Sequence, residues 1–229
     1  MALSVAAAPP IGDAVAAYDR WFDSPWGRYA FEVERATLER AVGPVDSRSV
    51  LDVGCGTGRF TAAMEQHAGS VAGVDLDPAM LAVAARRVKA SLFVADAGCL
   101  PFEVATFDVT VAVTLCEFVT DPHVVVGELN RVTRPGGRIA IGALNPLSPW
   151  GVARRRRLQR PPWQTAHFFT RRELEALGRP FGRVTLHAAL FAPGAIPGLG
   201  RIAPVLEGLG RACSRFGAFQ VLVIDKAPS

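Results

Sequence analysis

The sequence predicts an α/β fold: a mainly parallel, doubly wound sheet with helices on both faces. Three observations carry that reading. Short apolar runs alternate with helix-patterned stretches from about residue 49 to 144, the signature of strand–helix–strand units. The first apolar run, 49–53, passes straight into Gly54-Cys55-Gly56-Thr57-Gly58. The second, Val71-Ala72-Gly73-Val74, ends on an acid, Asp75.

The elements follow in order. A helix is expected over about 13–22. A second opens at Ser24-Pro25, an N-cap followed by proline at the first helical position, and stops at Gly43-Pro44. Strand 49–53 leads to a helix over about 59–68, then strand 70–74. A further helix starts at Asp77-Pro78 and runs to about Lys89, before strand 91–94. Strand 108–114 precedes a helix capped by Asp121 with Pro122 next. Pro135-Gly136-Gly137 turns the chain into strand 138–144. The stretch 145–169, with prolines at 146, 149, 161 and 162, is irregular. Thr170 with Glu173 forms a capping box for a helix ending at Gly178. Strands 183–190 and 218–225 finish the sheet. Between them lies a Pro/Gly-rich insertion with an amphipathic helix near 201–215.

Composition narrows the class. With 229 residues, half of them apolar and a fifth charged, the chain suits one globular domain and not a disordered one. No apolar run reaches the roughly 18–20 residues of a membrane span. The alanine-rich start has no basic residue ahead of its apolar part, so a secretory leader is not expected and the location is read as cytoplasmic. Cysteines 55, 99, 116 and 213 form no Cys-x-x-Cys pair, which points to reduced thiols and no metal site. Residues 151–185 hold nine arginines against two glutamates while the whole chain is +4, so basicity belongs to one segment.

The glycine run indicates a nucleotide-type cofactor at the carboxyl end of the sheet, because a ligand can approach the backbone closely there. An acid about 20 residues on, Asp75, can take both hydroxyls of a ribose. The dinucleotide fingerprint places its third glycine at the position Arg59 occupies, so a pyrophosphate is disfavoured. Asp52, just before the glycines, suits a cationic cofactor.

Asp52-Val53-Gly54-Cys55-Gly56-Thr57-Gly58 resembles the first motif of class I S-adenosylmethionine-dependent methyltransferases, most of all the small-molecule and quinone-biosynthesis subgroup. The likeness continues through Val74–Met80, Ala95–Phe102, Phe107-Asp108 and Leu129–Gly137, covering about residues 48–144. The resemblance implies a Rossmann-like, seven-stranded sheet with its last strand antiparallel; spacing alone does not show that. It implies S-adenosyl-L-methionine as cofactor and a single methyltransferase domain over 1–229. Within it, 1–44 would cap the cofactor, 48–144 form the core, 145–169 a basic and aromatic insertion, and 170–229 complete the sheet with an apolar insertion at 191–217.

On that resemblance the cofactor residues are Asp52, Gly54, Cys55, Gly56, Gly58, Asp75, Leu76, Met80, Asp96, Ala97, Leu115, Tyr18 and Arg28. Asp75 takes the ribose, and Leu76 and Met80 flank the adenine. Asp96 and Ala97 meet the adenine amino group. Leu115 lines the methionine portion, and Asp52 orients the loop and the ammonium group. Tyr18 and Arg28 belong to the leading helices, Arg28 facing the cofactor carboxylate or solvent. Asp77 reads better as a helix cap. The expected chemistry is direct displacement, which requires a general base only if the acceptor must lose a proton early. Candidates are Glu117, His123 and His167, none of them assigned.

The expected acceptor is a small or lipid-like molecule. Residues 114–118 carry neither the Asn-Pro-Pro-Tyr-like sequence of base-amine methylation nor a Pro-Cys pair for cytosine, so nucleic acid is disfavoured. The run Arg154–Arg157 admits a solvated helix face, peripheral contact with an anionic membrane, or RNA. A non-catalytic cofactor-binding module is the remaining alternative.

Overall fold

The computed structural model describes residues 12–149, 151, 165–191, 207–208 and 216–228. Two helices lead: α1 (Asp13–Trp21) and α2 (Pro25–Val42). Then come β1 (Ser49–Val53), α3 (Arg59–Met64), β2 (Ser70–Asp75), α4 (Pro78–Ala84), β3 (Ser91–Val94) and β4 (Phe107–Val113). A 3-10 turn, Cys116–Phe118, precedes α5 (Pro122–Val132) and β5 (Thr133–Leu144). The chain closes with α6 (Arg171–Gly178), β6 (Arg183–Ala189) and β7 (Phe219–Asp225).

The seven strands run in the order β3-β2-β1-β4-β5-β7-β6. Strands β1 to β5 are parallel, whereas β7 lies antiparallel between β5 and β6. The order reverses between β1 and β4, which opens a crevice at their carboxyl ends. Parallel strands covered on both faces are mostly apolar, and β1 and β4 are buried almost end to end, as is the antiparallel β7. Leu129 and Val132 of α5 and Leu174 and Leu177 of α6 pack one face with Leu51, Ile139, Ile141 and Leu222. Leu38 and Val42 of α2 and Met64 of α3 pack the other with Val50, Val111, Phe219 and Val223.

The caps form where their sequences indicate. Ser24 accepts from Gly27 N at 3.0 Å, Asp77 from Ala79 N at 2.8 Å and Asp121 from His123 N at 2.8 Å. Thr170 and Glu173 close the expected capping box. Two helices are shorter than their patterns suggest. In α3 and α4 the last turns tighten into i to i−3 bonds, Gln66 N to Ala63 O and Arg87 N to Ala84 O, and the helices end at Met64 and Ala84. Strand β5 begins at Thr133 and not at 138. Thr133 pairs with Phe107, and the register then shifts to resume at Val109 opposite Arg138. The start of β4 is pinned by Asp108, whose carboxyl is held at about 2, against its partial burial, by bonds from Ser49 and Arg134. The expected helix near 201–215 and the run Arg154–Arg157 lie outside the described residues, 207–208 excepted.

Candidate active site

The glycine loop hangs from β2. Gly54 N and Cys55 N both donate to Val74 O, at 2.7 and 2.9 Å, so the loop sits beside the end of that strand. Gly54 has φ +72°, and a Cβ there would lie 2.8 Å from Leu115 Cδ1. Both the backbone conformation and the close approach therefore require glycine. A Cβ on Gly56 would meet nothing within 4 Å, so this part of the loop faces open space.

Asp75 closes β2 half-buried. Its Oδ2 accepts from Gly56 N at 2.8 Å and its Oδ1 from Asp77 N at 2.9 Å. Burial raises its carboxyl above the usual range, against those two bonds. Each oxygen keeps acceptor capacity beyond its one backbone bond. Leu76 next to it is 67% exposed, an apolar side chain left open at the edge of the crevice, and Met80 is half-buried on α4. Asp96 is exposed, with Oδ1 taking Gly98 N at 2.8 Å, and Ala97 is buried beside it.

Asp52 is fully buried and accepts the Thr61 hydroxyl at 2.6 Å. Burial pushes its carboxyl up to about 7, with the charge of Asp75 adding to the rise. Together with Tyr18, Phe22, Gly54, Thr57, Val113 and Thr114 it lines a small cavity under α1. The Tyr18 hydroxyl is pushed to about 12, first by burial and then by the charges of Glu34 and Asp75, although the side chain keeps 40% of its surface exposed.

Three expected positions are placed differently. Gly58 is buried, and a Cβ on it would lie 3.0 Å from Ala84 Cβ, so it serves the packing of α3 on α4. The Cys55 side chain turns into the protein, its sulfur 3.0 Å from where a Gly73 Cβ would sit, which leaves only its backbone to the loop surface. Arg28 is exposed on α2 and makes no bond to the loop among the described residues.

The residue that the sequence reading missed is Asp19. Its carboxylate takes the Thr57 hydroxyl at 2.8 Å, Arg59 Nε at 3.0 Å and Arg87 Nη2 at 3.0 and 3.1 Å. Arg87 also donates to Thr57 O, and Arg59 lies 4.7 Å over the Phe22 ring. Those bonds hold the Asp19 carboxyl low against its burial. They fasten α1 to the glycine loop. The signal in the sequence was Arg59 itself, a cation where the dinucleotide pattern has glycine.

Of the three candidate bases, His123 is exposed at the start of α5. The His167 ring is also exposed; it meets Glu173 Oε1 at 3.5 Å and the Phe169 ring edge-on. Glu117 is buried: Oε1 accepts Leu144 N at 2.8 Å, and its backbone carbonyl accepts His167 N at 2.8 Å. Burial pushes its carboxyl up to about 7.

This has a consequence for stability. Asp52 and Glu117 have folded pKa values above their ordinary ones, so each contributes stability that is complete near pH 4 and lost as pH rises through about 7. The lowered carboxyls, Asp19, Asp108, Glu128 and Glu173, act in the opposite sense, but below pH 4.5. Unfolding free energy should therefore fall between pH 5 and pH 8. A smaller opposing rise comes from His187, whose imidazole is held below its usual value by burial and then by Arg40 and Arg138. In Glu117→Gln the fall should shrink by about 3 kcal/mol at most. Denaturant titrations of both proteins at the two pH values check this, and equal slopes would refute it.

A doubly wound sheet with an antiparallel β7, a glycine loop at the reversal of strand order and an acid ending β2 define a class I methyltransferase type of fold. The methyltransferase-domain family model matches residues 51–141. An uncharacterised protein of Mycobacterium tuberculosis is 37% identical over 186 residues, 77% of this chain and 62% of that protein. The chain thus spans less than two thirds of that relative's length. A demethylmenaquinone methyltransferase of Clavibacter sepedonicus is 38% identical over 112 residues, covering 47% of this chain and 45% of the relative. A SAM-dependent methyltransferase of Thermotoga maritima superposes with a TM-score of 0.75 at 25% identity, over 93% of this chain and 95% of the other. Residues 51–141 thus match a methyltransferase domain, in a chain whose fold is that of the S-adenosylmethionine-dependent methyltransferase it superposes on.

Proposed function

We propose that this protein is a methyltransferase that moves the methyl group of S-adenosyl-L-methionine to a small-molecule or lipid-like acceptor by direct displacement. The observation that carries it is the anchored Asp75 carboxylate beside the open face of Gly56, under a helix bonded to the same loop. The residues fit the cofactor. Asp75 offers acceptor capacity to a ribose, Leu76 an apolar shelf, and Asp52 a buried carboxyl suited to a cationic group.

The bound cofactor supplies an electrophilic methyl on a sulfonium that leaves readily. The chain's part is to orient and to keep water out. Leu115 is held against Gly54, and the Asp19 bonds to Thr57, Arg59 and Arg87 keep α1 over the loop. Alignment in a dry site can supply much of the acceleration. Phe118 and Leu147, 40% and 56% exposed after β4 and β5, leave apolar surface on the acceptor side, which favours an apolar acceptor. The curated relatives that methylate quinone precursors are distant and are consistent with such an acceptor. No described helix is long and apolar enough to cross a membrane. Peripheral contact through Arg154–Arg157 remains part of the proposal.

Calorimetry should show S-adenosylmethionine and S-adenosylhomocysteine binding and no NAD binding. Labelled methyl groups should then pass into a small-molecule fraction of a cell extract. Tight NAD binding would sink the cofactor reading. Transfer into RNA alone would replace the acceptor.

A further inference from the structure

Glu117 stands out among the buried polar groups. It follows Leu115 by two residues, in the 3-10 turn that leaves β4 at the crevice. One carboxyl oxygen is accounted for by Leu144 N. The other, Oε2, is buried and has no hydrogen-bond partner among the described residues. A buried carboxyl oxygen without a donor costs stability, so a donor brought by a ligand gains more there than at a satisfied site.

The groups around it do not satisfy it. The Cys116 thiol beside it is itself buried, and burial first and the charge of Glu117 second push it up. His167 gives its backbone N–H to the Glu117 carbonyl, and its ring turns out to Glu173. No cationic side chain among the described residues pairs with Glu117. The position is also the right one. Leu115 contacts the cofactor loop, Leu144 ends β5, and His167 leads into α6, so the carboxyl sits where three acceptor-side segments converge.

We infer that Oε2 of Glu117 binds the proton-bearing heteroatom of the methyl acceptor, a hydroxyl or an amine N–H, and takes its proton during transfer. This rests on the methyltransferase reading above and narrows its acceptor class. The bookkeeping of bonds is complete. The heteroatom's lone pair makes the new bond to carbon, and the carbon–sulfur pair departs with the sulfur. The O–H or N–H bond breaks with its pair left on the heteroatom, and the proton passes to Oε2. A carboxyl that burial raises to about 7 is suited to that exchange.

Glu117→Gln is the informative variant. The amide oxygen can still accept Leu144 N, which keeps the turn, while an NH2 group replaces Oε2 and meets the acceptor's donor with another donor. Transfer of labelled methyl into the small-molecule extract should fall about 100-fold, with S-adenosylhomocysteine affinity within about threefold of wild type. In parallel, the apolar reagent dicyclohexylcarbodiimide at pH 6 should modify Glu117, read by mass on its peptide, and the modified protein should lose transfer but keep S-adenosylhomocysteine binding. Wild-type transfer by Glu117→Gln, or no label on Glu117, overturns the assignment. Absence of S-adenosylhomocysteine binding in the unaltered protein would instead count against the methyltransferase reading itself.

Discussion

Asp75→Ala is expected to weaken cofactor binding about 30- to 1000-fold, or about 2–4 kcal/mol. Two losses combine. A carboxylate able to take two ribose hydroxyls makes charge-assisted bonds, and water recovers only part of them after truncation. The same carboxylate fastens Gly56 N and Asp77 N, so its removal also loosens Gly56, although Gly54 N and Cys55 N stay bonded to Val74 O. Asp75→Asn should be damaging too. Its oxygen can serve one of those two N–H groups, but its NH2 must then face the other.

The neighbouring carboxylate is the control. Asp77 is exposed and caps α4 through Ala79 N, so Asp77→Ala should cost about 1 kcal/mol of stability and change affinity little. Melting temperature and cofactor affinity for the variants separate a ligand contact from a cap. If Asp77→Ala proves the worse binder, the ribose assignment to Asp75 is wrong.

The features legible in the sequence were those written in short-range grammar. Ser24-Pro25, Asp77-Pro78, Asp121-Pro122 and Thr170 with Glu173 each announce a helix start within four residues, and each cap forms. The apolar runs of β1 and β2 are placed to within a residue, because a strand covered on both faces has little freedom in composition. The helix ends of α3 and α4 were not legible, since tightening into a 3-10 turn is decided by what the chain must reach next. Residues 85–88 bring Arg87 to Thr57 and Asp19. Asp19 was missed for the same reason. Its partners lie 38, 40 and 68 residues away, and nothing in the local pattern of α1 distinguishes it from a solvated acid. Arg28, three residues after Pro25 on α2, was a fair candidate by position, and only its placement on the exposed side separates it from the loop.

Gly27→Ala should produce the largest effect among substitutions remote from the crevice. In a helix, alanine in place of glycine is ordinarily stabilising by about 0.5–1 kcal/mol, so propensity alone predicts a gain. Here a Cβ would lie 2.0 Å from Trp21 O, 2.8 Å from Trp21 C and 2.9 Å from Phe22 Cα, all backbone atoms. No rotamer change can relieve that contact, so α1 must move off the first turn of α2. Phe22 packs edge-on with Tyr18, Trp21 and Phe31, and carries Arg59 over its ring. Displacing it disturbs the Asp19 bonds to Thr57, Arg59 and Arg87 that hold α1 on the glycine loop. Overpacking of this kind costs about 1–3 kcal/mol, which outweighs the propensity gain and sets the sign. Cofactor affinity should drop along with melting temperature, and amide exchange in α1 should quicken. Asp19→Asn separates the two causes, because it weakens the clamp without a steric push. It should raise the release rate of S-adenosylhomocysteine while leaving the α1–α2 corner protected from exchange. A Gly27→Ala protein that melts at or above the wild-type temperature with unchanged affinity would show that the corner yields freely, and that α1 is not held over the loop by its packing on α2.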